Sequence, residues 1–205
     1  MTLPSIKETD CLIIIDVQKD FCTGGSLAVP DAESILPWIN DSSGQFKNIV
    51  LTQDWHPAGH SSFASVHEGK APFESISMPY GTQTLWPDHC VQGSCGADFH
   101  DELLTNQAQL IIRKGFRHEI DSYSAFYEND HSTTTGLTGY LRERSINRVF
   151  CVGLALDYCV RFSALDARRE GFETVVAEAG CRGIDIDGSN DDARQAMKSA
   201  GVTLV

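Results

Sequence analysis

Three residues with complementary chemistry, Asp16, Lys114 and Cys159, each come at or shortly after the end of an apolar run. A cysteine thiolate is a strong nucleophile. A buried carboxyl group has a raised pKa and can accept the thiol proton, while a nearby lysine favours the thiolate. Ligands of open parallel sheets bind beyond the carboxyl ends of the strands. The three residues therefore predict a nucleophile, a base and a cation at one edge of a sheet.

Cys159 is the candidate nucleophile, and its local sequence predicts a position in the first turn of a helix. Asp157 is expected to cap a helix that begins near Tyr158. The helix terminus and Lys114 would draw the thiol pKa from about 8.5 toward neutrality. From the residues alone, simpler interpretations stay open: a buried structural cysteine, a capping role for Asp16, and an exposed Lys114.

A second pair, Asp54 and His56, has the spacing of a metal site. Residues two apart on an extended segment point the same way, so a carboxylate and an imidazole can share one cation. His60 and His89 offer further nitrogen ligands, and such a ligand set suits zinc, manganese or iron(II) without choosing among them. An Asp-x-His pair alone is also compatible with two polar residues on the surface.

The positions of these residues depend on near-continuous apolar runs that are rich in branched side chains. Such runs are typical of strands buried on both faces, and therefore of a parallel sheet. Segments of helical character separate them, which predicts an α/β fold with a doubly wound sheet. The predicted strands cover residues 11–15, 48–52, 110–112, 148–152, 174–177 and 202–205, and the predicted helices cover 31–41, 137–144, 158–170 and 191–200.

Helix ends and one long connection complete the predicted organisation. Pro37 is expected to kink the first helix or to lie in its first turn. Ser189 begins a pattern that resembles a capping box, and Gly171 and Gly201 stand where helices should stop. The connection from 57 to 108 is long for a compact domain and is therefore expected to be functional.

The composition narrows the class of protein. A chain of 205 residues fits one domain, and 1–205 is predicted to be a single domain. The net charge of −12 argues against nucleic acid and anionic lipid as partners. No apolar run is long enough to span a membrane, and the amino terminus lacks signal-peptide features. Seven cysteines without a disulfide framework predict reduced thiols and a cytoplasmic protein.

Separated motifs along the chain resemble those of bacterial nicotinamidases, a branch of the isochorismatase-like cysteine hydrolase superfamily. They extend in order from about residue 12 to residue 183. The combination of WPDHC with DSYSAF is typical of the nicotinamidase branch rather than of the superfamily at large. The motifs are IIIDVQKDF, TQDWHPAGHSSFA, WPDHC, KG at Lys114, DSYSAF, GLALDYCV and GCRGI.

The resemblance implies a Rossmann-like sheet of six parallel strands in the order 3-2-1-4-5-6, with helices on both faces. It implies that Asp16, Lys114 and Cys159 are catalytic. It also implies one divalent metal ion, with zinc expected before iron or manganese, and a substrate pocket with an oxyanion hole. The implied metal ligands are Asp54, His56 and His89, and the implied aromatic walls of the pocket are Phe21, Trp86 and Tyr123. The implied oxyanion hole consists of the backbone N–H groups of Ala155 and Cys159. It usually follows a cis peptide bond, here between Leu154 and Ala155.

The implied reaction is hydrolysis of nicotinamide to nicotinate and ammonia through a thioester on Cys159, in NAD salvage, with pyrazinamide as a further expected substrate. His60 and Ser62 match positions that touch the metal or its waters in some members. Leu156 replaces the usual threonine or serine, so the pocket is expected to lack that hydroxyl. The number of subunits stays open, with a homo-oligomer as one option.

Two other interpretations compete with this one. Another amidohydrolase of the superfamily, acting on a carbamoyl or ureido substrate, is disfavoured by the metal motif. A non-catalytic metal-binding or interaction module that keeps the fold is disfavoured by the intact set of Asp16, Lys114 and Cys159. Ammonia release from nicotinamide and selective alkylation of Cys159 separate the three interpretations.

Overall fold

A parallel sheet organises the chain in the computed structural model, which describes residues 3–205. The described residues form eight strands: β1 (Asp10–Ile15), β2 (Asn48–Asp54), β3 (Ser75–Met78), β4 (Gly81–Thr84), β5 (Leu110–Lys114), β6 (Arg148–Leu154), β7 (Glu173–Arg182) and β8 (Thr203–Leu204). Six of them form the sheet in the order β5-β2-β1-β6-β7-β8, and β3 pairs with β4 in a separate antiparallel hairpin. Numbered among themselves along the chain, the six read 3-2-1-4-5-6, which confirms the predicted order.

The two central strands, β1 and β6, are buried along their whole length. Side chains alternate between the faces of a sheet, so complete burial requires cover on both faces. The strands approach each other closely at Gly153, whose φ is 117° and where a Cβ atom would lie 2.1 Å from the carbonyl oxygen of Ile15. A side chain at this position would push the two strands apart.

Four α-helices connect strands of the sheet: α1 (Leu36–Ser43), α2 (Leu137–Glu143), α3 (Arg161–Arg169) and α4 (Ser189–Ser199). Pro37 lies in the first turn of α1, where its missing N–H leaves no helical hydrogen bond unmade. Gly171 and Gly201 follow α3 and α4 with φ angles of 91° and 80°, which confirms the predicted helix stops.

The predicted capping box at the start of α4 is wrong. Gly188 is the residue that precedes the helix, and no side chain caps it. The Ser189 hydroxyl donates instead to Asp157 Oδ2, at 2.5 Å. The serine hydroxyl therefore donates to a buried carboxylate and does not accept from a backbone N–H of the helix. Hydrogen bonds to a charged acceptor are stronger than neutral ones, which favours the long-range partner.

The connection between β2 and β5, residues 55–109, folds outside the parallel sheet. It contains the β3–β4 hairpin and two 3-10 turns, Ala64–Val66 and Cys95–Ala97. Isolated backbone bridges join His56 to Val91 and Phe63 to Trp86, so the segment folds back on itself beside the end of β2. Within residues 3–205, no helix has both the length and the apolar composition needed to cross a bilayer.

Candidate active site

The carboxyl ends of neighbouring strands bring the predicted chemical groups together. Asp16 directly follows β1, and Asp54 and Lys114 are the last residues of β2 and β5, where they are register partners. Asp16 has a left-handed backbone, with φ at 49°, a conformation that aspartate tolerates better than most residues. Cys159 lies beyond β6 in a short π-helical turn, Leu156–Val160, that leads into α3.

Lys114 is fully buried at the centre of the site. Its Nζ lies 2.9 Å from Asp16 Oδ2 and 3.0 Å from Asp54 Oδ1. It also donates to the Ser122 carbonyl at 2.8 Å and approaches Cys159 Sγ at 3.5 Å. Burial alone would lower the pKa of Lys114, but the charges of Asp16 and Asp54 outweigh it and hold that pKa well above its usual range. Lys114 is therefore a permanent cation between two carboxylates and a thiol.

The two oxygens of Asp16 have different surroundings. The Thr52 hydroxyl donates to Oδ1 at 2.6 Å and accepts from the Asp16 backbone N–H at 3.1 Å. Oδ2 is in ion contact with Lys114, yet it has no hydrogen-bond donor among the described residues. Burial raises the pKa of Asp16, and the charge of Lys114 only partly opposes that rise. Oδ2 is consequently the oxygen that is free to take a proton.

Cys159 is a protonated thiol in this environment, which corrects one sequence-based expectation. Burial raises its pKa well above the usual range, and the charge of Lys114 does not offset this. The negative charges of Asp16 and Asp54 raise that pKa further. The predicted shift toward neutrality is wrong because the sequence could not show how deeply the sulfur is buried. The thiol needs a base, and Asp16 is the one beside it.

Asp157 does not cap the turn that carries Cys159, which is a second correction. The turn has no side-chain cap. The Asp157 carboxylate instead accepts from the backbone N–H groups of Ile184 and Asp185, at 3.0 and 2.9 Å, and from Ser189. It ties the end of the Cys159 turn to the segment after β7 rather than polarising the sulfur.

Asp54, His56 and His89 form a buried cluster whose ligand atoms all lie within 4.8 Å of one another. Asp54 Oδ2 lies 3.0 Å from His56 Nε2 and 3.4 Å from His89 Nε2. Burial would raise the pKa of Asp54, but the charges of His56 and Lys114 hold it well below its usual range. Asp54 thus remains an anionic oxygen ligand that both histidines face.

The hydrogen bonds behind the two histidines fit a bound cation. His56 Nδ1 donates to the Gly115 carbonyl at 2.9 Å, and His89 Nδ1 donates to the Pro87 carbonyl at 2.8 Å. A cation between Asp54 and the two rings would keep both rings neutral and accept the lone pair of each Nε2 together with a carboxylate oxygen. Backbone carbonyls orient metal-ligating histidines in this way in known sites. The cluster therefore has the donor set and the supporting contacts of a divalent metal site.

Gly115 has a role at this cluster that the sequence reading missed. Its φ is 64°, and a Cβ atom there would lie 2.5 Å from His56 Cε1. Only glycine combines that backbone conformation with such a close approach to the ring. The KG motif contains Gly115, but a glycine has no reactive group, so the sequence alone does not indicate a role at the metal cluster.

His60 lies next to the cluster with its ring nitrogens occupied by the protein. Nδ1 hydrogen-bonds the Ser62 hydroxyl at 2.7 Å, and Nε2 donates to the Arg117 carbonyl at 2.9 Å. The ring packs against His56 with a centroid separation of 4.3 Å. Ser62 thus holds the His60 ring against His56, and His56, His60 and Asp121 form a second buried group that could hold a metal ion.

A narrow pocket leads from the surface to Cys159 and encloses about 320 Å³, counting the space that is open to solvent. Its volume lies at the lower end of the range for small-molecule sites. Phe21, Trp86 and Tyr123 all line it, together with Asp54, His89, Ala155 and Cys159. Four lining residues were not predicted: Leu27, Asp121, Tyr158 and Ile184. Asp121, Tyr158 and Ile184 lie within the motifs DSYSAF, GLALDYCV and GCRGI, whereas Leu27 lies outside the motifs and has no chemical signature.

Ala155 and Cys159 bound the pocket at its inner end. Ala155 is extended, the turn starts directly after it, and the peptide bond between Leu154 and Ala155 is cis. The first N–H groups of a helical turn have no partner inside the turn. Leu156 is buried but does not belong to the lining of this pocket, so the hydroxyl that it replaces would not have faced the ligand.

Comparison with known proteins assigns the class. The chain matches the Isochorismatase domain over residues 10–205. It is 53% identical to a nicotinamidase of Acinetobacter baylyi over 194 residues, which cover 95% of this chain and 91% of that protein. The chain therefore belongs to the isochorismatase domain family.

Solved structures of relatives share the fold. A nicotinamidase and pyrazinamidase of Acinetobacter baumanii has a TM-score of 0.96 and 55% identity, covering 97% of this chain and 96% of that chain. A protein of L. infantum in complex with nicotinate has a TM-score of 0.85 and 42% identity, covering 100% and 95%. A pyrazinamidase of Pyrococcus horikoshii in complex with zinc has a TM-score of 0.77 and 35% identity, covering 96% and 98%. The predicted resemblance to nicotinamidases is confirmed.

Proposed function

We propose that this chain hydrolyses nicotinamide to nicotinate and ammonia, with Cys159 as the nucleophile. The observation that carries the proposal is the position of the Cys159 thiol within 3.5 Å of the Lys114 ammonium, beside a carboxylate with a free oxygen, at the inner end of a narrow aromatic pocket. The similarity to nicotinamidases supports the same substrate, and the nicotinamidase/pyrazinamidase relatives support pyrazinamide as a second one.

The pocket selects a flat ring that carries a carboxamide. Phe21 and Trp86 supply aromatic surface against which a pyridine ring can pack. Stacking holds the ring but not the amide, so the carboxamide carbon is left to approach the sulfur of Cys159 at the inner end. The depth of the pocket excludes most water from that end, which strengthens the electrostatic contacts there.

The first half of the reaction acylates the enzyme. Asp16 Oδ2 takes the Cys159 proton, and Lys114 stabilises the resulting thiolate. The sulfur attacks the amide carbon, and the negative charge that develops on the carbonyl oxygen is held by the N–H groups of Ala155 and Cys159. Each such donor contributes about 3–4 kcal/mol in comparable enzymes. Asp16 returns its proton to the nitrogen, the C–N bond breaks, and ammonia leaves.

The second half releases the acid. Asp16 takes a proton from water, and the resulting hydroxide adds to the thioester carbon. The S–C bond then breaks to give nicotinic acid, which releases its proton to become nicotinate, and the thiolate, which recovers its proton from Asp16. One carboxyl group serves as base and acid in turn, a role that suits a pKa raised toward the working pH.

Asp54, His56 and His89 would hold one zinc ion, with iron or manganese as alternatives. When bound, the ion supplies a Lewis-acidic contact for the ring nitrogen of a pyridine substrate and thereby orients it. The relative from Pyrococcus horikoshii contains zinc, which supports this choice of metal. Lys114 separates Asp54 from Asp16, so the ligand carboxylate and the base keep distinct roles.

The setting that we propose is NAD salvage in the cytoplasm by a single domain of residues 1–205. All seven cysteines are free thiols, as is usual in a reducing compartment. The proposal requires only a small-molecule substrate, and the pocket is built from one chain. A homo-oligomer is compatible with it but is not needed.

The test compares ammonia release from nicotinamide by the wild-type protein and by Cys159→Ala. We expect turnover by the wild type and none by the alanine variant, with the fold retained. N-carbamoyl compounds, assayed in parallel, should release no ammonia. Turnover of nicotinamide by the alanine variant, or a preference for the carbamoyl compounds, would overturn the proposal.

A further inference from the structure

The residues of the β3–β4 hairpin are exposed or half-buried except for one, Gln83. Gln83 is fully buried. An isolated two-stranded hairpin is marginally stable in water, so its position depends on contacts with the rest of the chain. A buried amide in such a hairpin is costly unless its donors and acceptor are all used. Its partners therefore indicate what the hairpin is anchored to.

The amide of Gln83 is fully hydrogen-bonded, and its partners include the pocket lining. Nε2 donates to the Thr84 carbonyl and to Asp121 Oδ2, both at 2.7 Å, and lies 3.0 Å from the hydroxyl oxygen of Tyr123. Oε1 accepts from the Tyr80 hydroxyl at 3.1 Å and from Asn129 Nδ2 at 3.2 Å. Asp121 and Tyr123 both line the pocket, whereas Gln83 does not. Gln83 thus contacts two wall residues from behind.

The same hydroxyl links the two aromatic walls. Trp86 Nε1 donates to the Tyr123 hydroxyl at 3.2 Å, and the two rings meet edge to face with centroids 6.2 Å apart. Asn129, a partner of Gln83, also holds the Tyr123 backbone, because its Oδ1 accepts from the Tyr123 N–H at 3.0 Å. The Tyr123 hydroxyl thus lies between Gln83 and Trp86, while Asn129 holds the Tyr123 backbone.

Asp121 gives Gln83 a second connection to the site. Its carboxylate is buried, and its Oδ1 lies 4.0 Å from His56 Nε2. Oδ2 points to the Gln83 amide. Oδ1 also accepts from the Ser122 N–H at 2.8 Å, so loss of the Gln83 amide would leave Oδ2 of this buried carboxylate without that donor.

We propose that Gln83 is a positioning residue that sets the affinity of the pocket for an aromatic ring, acting through Tyr123 and Asp121. The inference rests on the proposed function, since it assumes that the pocket lined by Phe21, Trp86 and Tyr123 holds the pyridine ring of the substrate. Gln83 makes no hydrogen bond to Asp16, Lys114 or Cys159 in the described part of the chain. Its loss should therefore weaken binding and leave the chemical step in place.

The main experiment measures kcat and KM for nicotinamide with the metal-loaded Gln83→Met variant. Methionine matches the length of glutamine and removes both the donors and the acceptor. We expect KM to rise about tenfold, the effect of losing one well-made buried hydrogen bond, with kcat within about twofold of the wild type. The matched control is Gln109→Met, which removes a glutamine at the opposite end of the sheet that accepts from the Ile49 N–H, and it should leave both constants unchanged.

A merely structural role makes a different prediction. It lowers the melting temperature of Gln83→Met without changing KM, and that result would overturn the inference, as would a fall in kcat alone. If the methionine variant does not fold, Gln83→Asn keeps a neutral amide but is one methylene shorter, which draws the donors back from Asp121 and Tyr123. The same rise in KM is expected, and an unchanged KM counts against the inference.

A double-mutant cycle tests the route through Tyr123. Tyr123→Phe removes the hydroxyl that Gln83 and Trp86 share. In the combined variant, Gln83→Met should raise KM by less than about threefold over Tyr123→Phe alone, because part of the path is already lost. A full tenfold rise on top of Tyr123→Phe would show that Gln83 does not act through that hydroxyl and would overturn this part of the proposal.

A binding measurement separates this inference from the proposed function. Calorimetry compares nicotinate binding to Cys159→Ala and to Cys159→Ala with Gln83→Met. About tenfold weaker binding by the double variant supports the inference even if the wild type releases no ammonia, the outcome that sinks the proposed function. Equal affinity, or no measurable binding by either protein, overturns the inference.

Discussion

The reactive groups and the pocket walls are held by different means. Asp16, Asp54 and Lys114 sit at the ends of adjacent strands, so the hydrogen-bond ladder of the parallel sheet determines their separation. The walls around Trp86 and Tyr123 come from loops and are joined by side-chain hydrogen bonds. The spacing of the reactive groups is therefore fixed by backbone pairing within the sheet. The shape of the ring-binding pocket depends instead on a few polar side chains, each of which can be changed by a single substitution.

Removing the central cation should damage the strand-end region most. Lys114→Met leaves Asp16 and Asp54 as buried carboxylates without their shared partner, a loss that costs about 3–5 kcal/mol. Chemical denaturation should show that decrease in the free energy of unfolding, together with loss of turnover. A variant of unchanged stability would mean that the two carboxylates are not both charged in the folded protein.

Asp16→Asn should separate catalysis from binding. Asparagine keeps the shape but cannot accept the Cys159 proton, so kcat should fall by about 10²–10⁴-fold while KM changes little. Alkylation of Cys159 by iodoacetamide should also slow, because the raised thiol pKa makes the sulfur dependent on a base. Alkylation at the wild-type rate would assign the base to another group.

The pH profile sharpens the same point. A carboxyl group accepts a proton only above its pKa, and burial raises the pKa of Asp16 above the ordinary value of about 3.9. We therefore expect kcat/KM to fall as the pH is lowered, with a midpoint above that value, and the Asp16→Asn variant to lose this limb. Circular dichroism at each pH controls for unfolding. A flat profile down to pH 4 in a folded protein would contradict the role of Asp16.

Gly115→Ala should have the smallest effect, confined to the metal cluster. A Cβ atom would displace His56, which receives its orientation from the Gly115 carbonyl. Loss of such supporting contacts typically weakens metal binding by about 10–100-fold. Metal content after dialysis against a weak chelator should therefore fall relative to the wild type, with Cys159 alkylation unchanged. Full metal retention would show that His56 is not a ligand.

Much of the strand-end region could be predicted from the sequence. Near-continuous apolar runs identify buried parallel strands, and parallel strands bring their carboxyl ends to one edge, so Asp16, Asp54 and Lys114 were expected together. The family motifs then added Phe21 and Tyr123, and both line the pocket.

The rest depends on contacts between distant segments. The protonation state of Cys159 follows from burial, which no local pattern reports. Asp157 and Ser189 were predicted as helix caps from their neighbours, but they bond to each other across 32 positions. Gln83 belongs to a partly exposed hairpin with no chemical signature, and only its hydrogen bonds reveal a link to the pocket.

The proposed role of Cys159 as the nucleophile is tested most directly by detecting the covalent intermediate on its sulfur. Wild-type protein is mixed with excess nicotinamide, quenched in acid during steady-state turnover, digested and analysed by mass spectrometry. If Cys159 is the nucleophile, the peptide that contains it gains the mass of one nicotinoyl group, and the other cysteine peptides do not. Sustained ammonia release with Cys159 unmodified at every quench time, and undiminished turnover after its selective alkylation, would contradict that role.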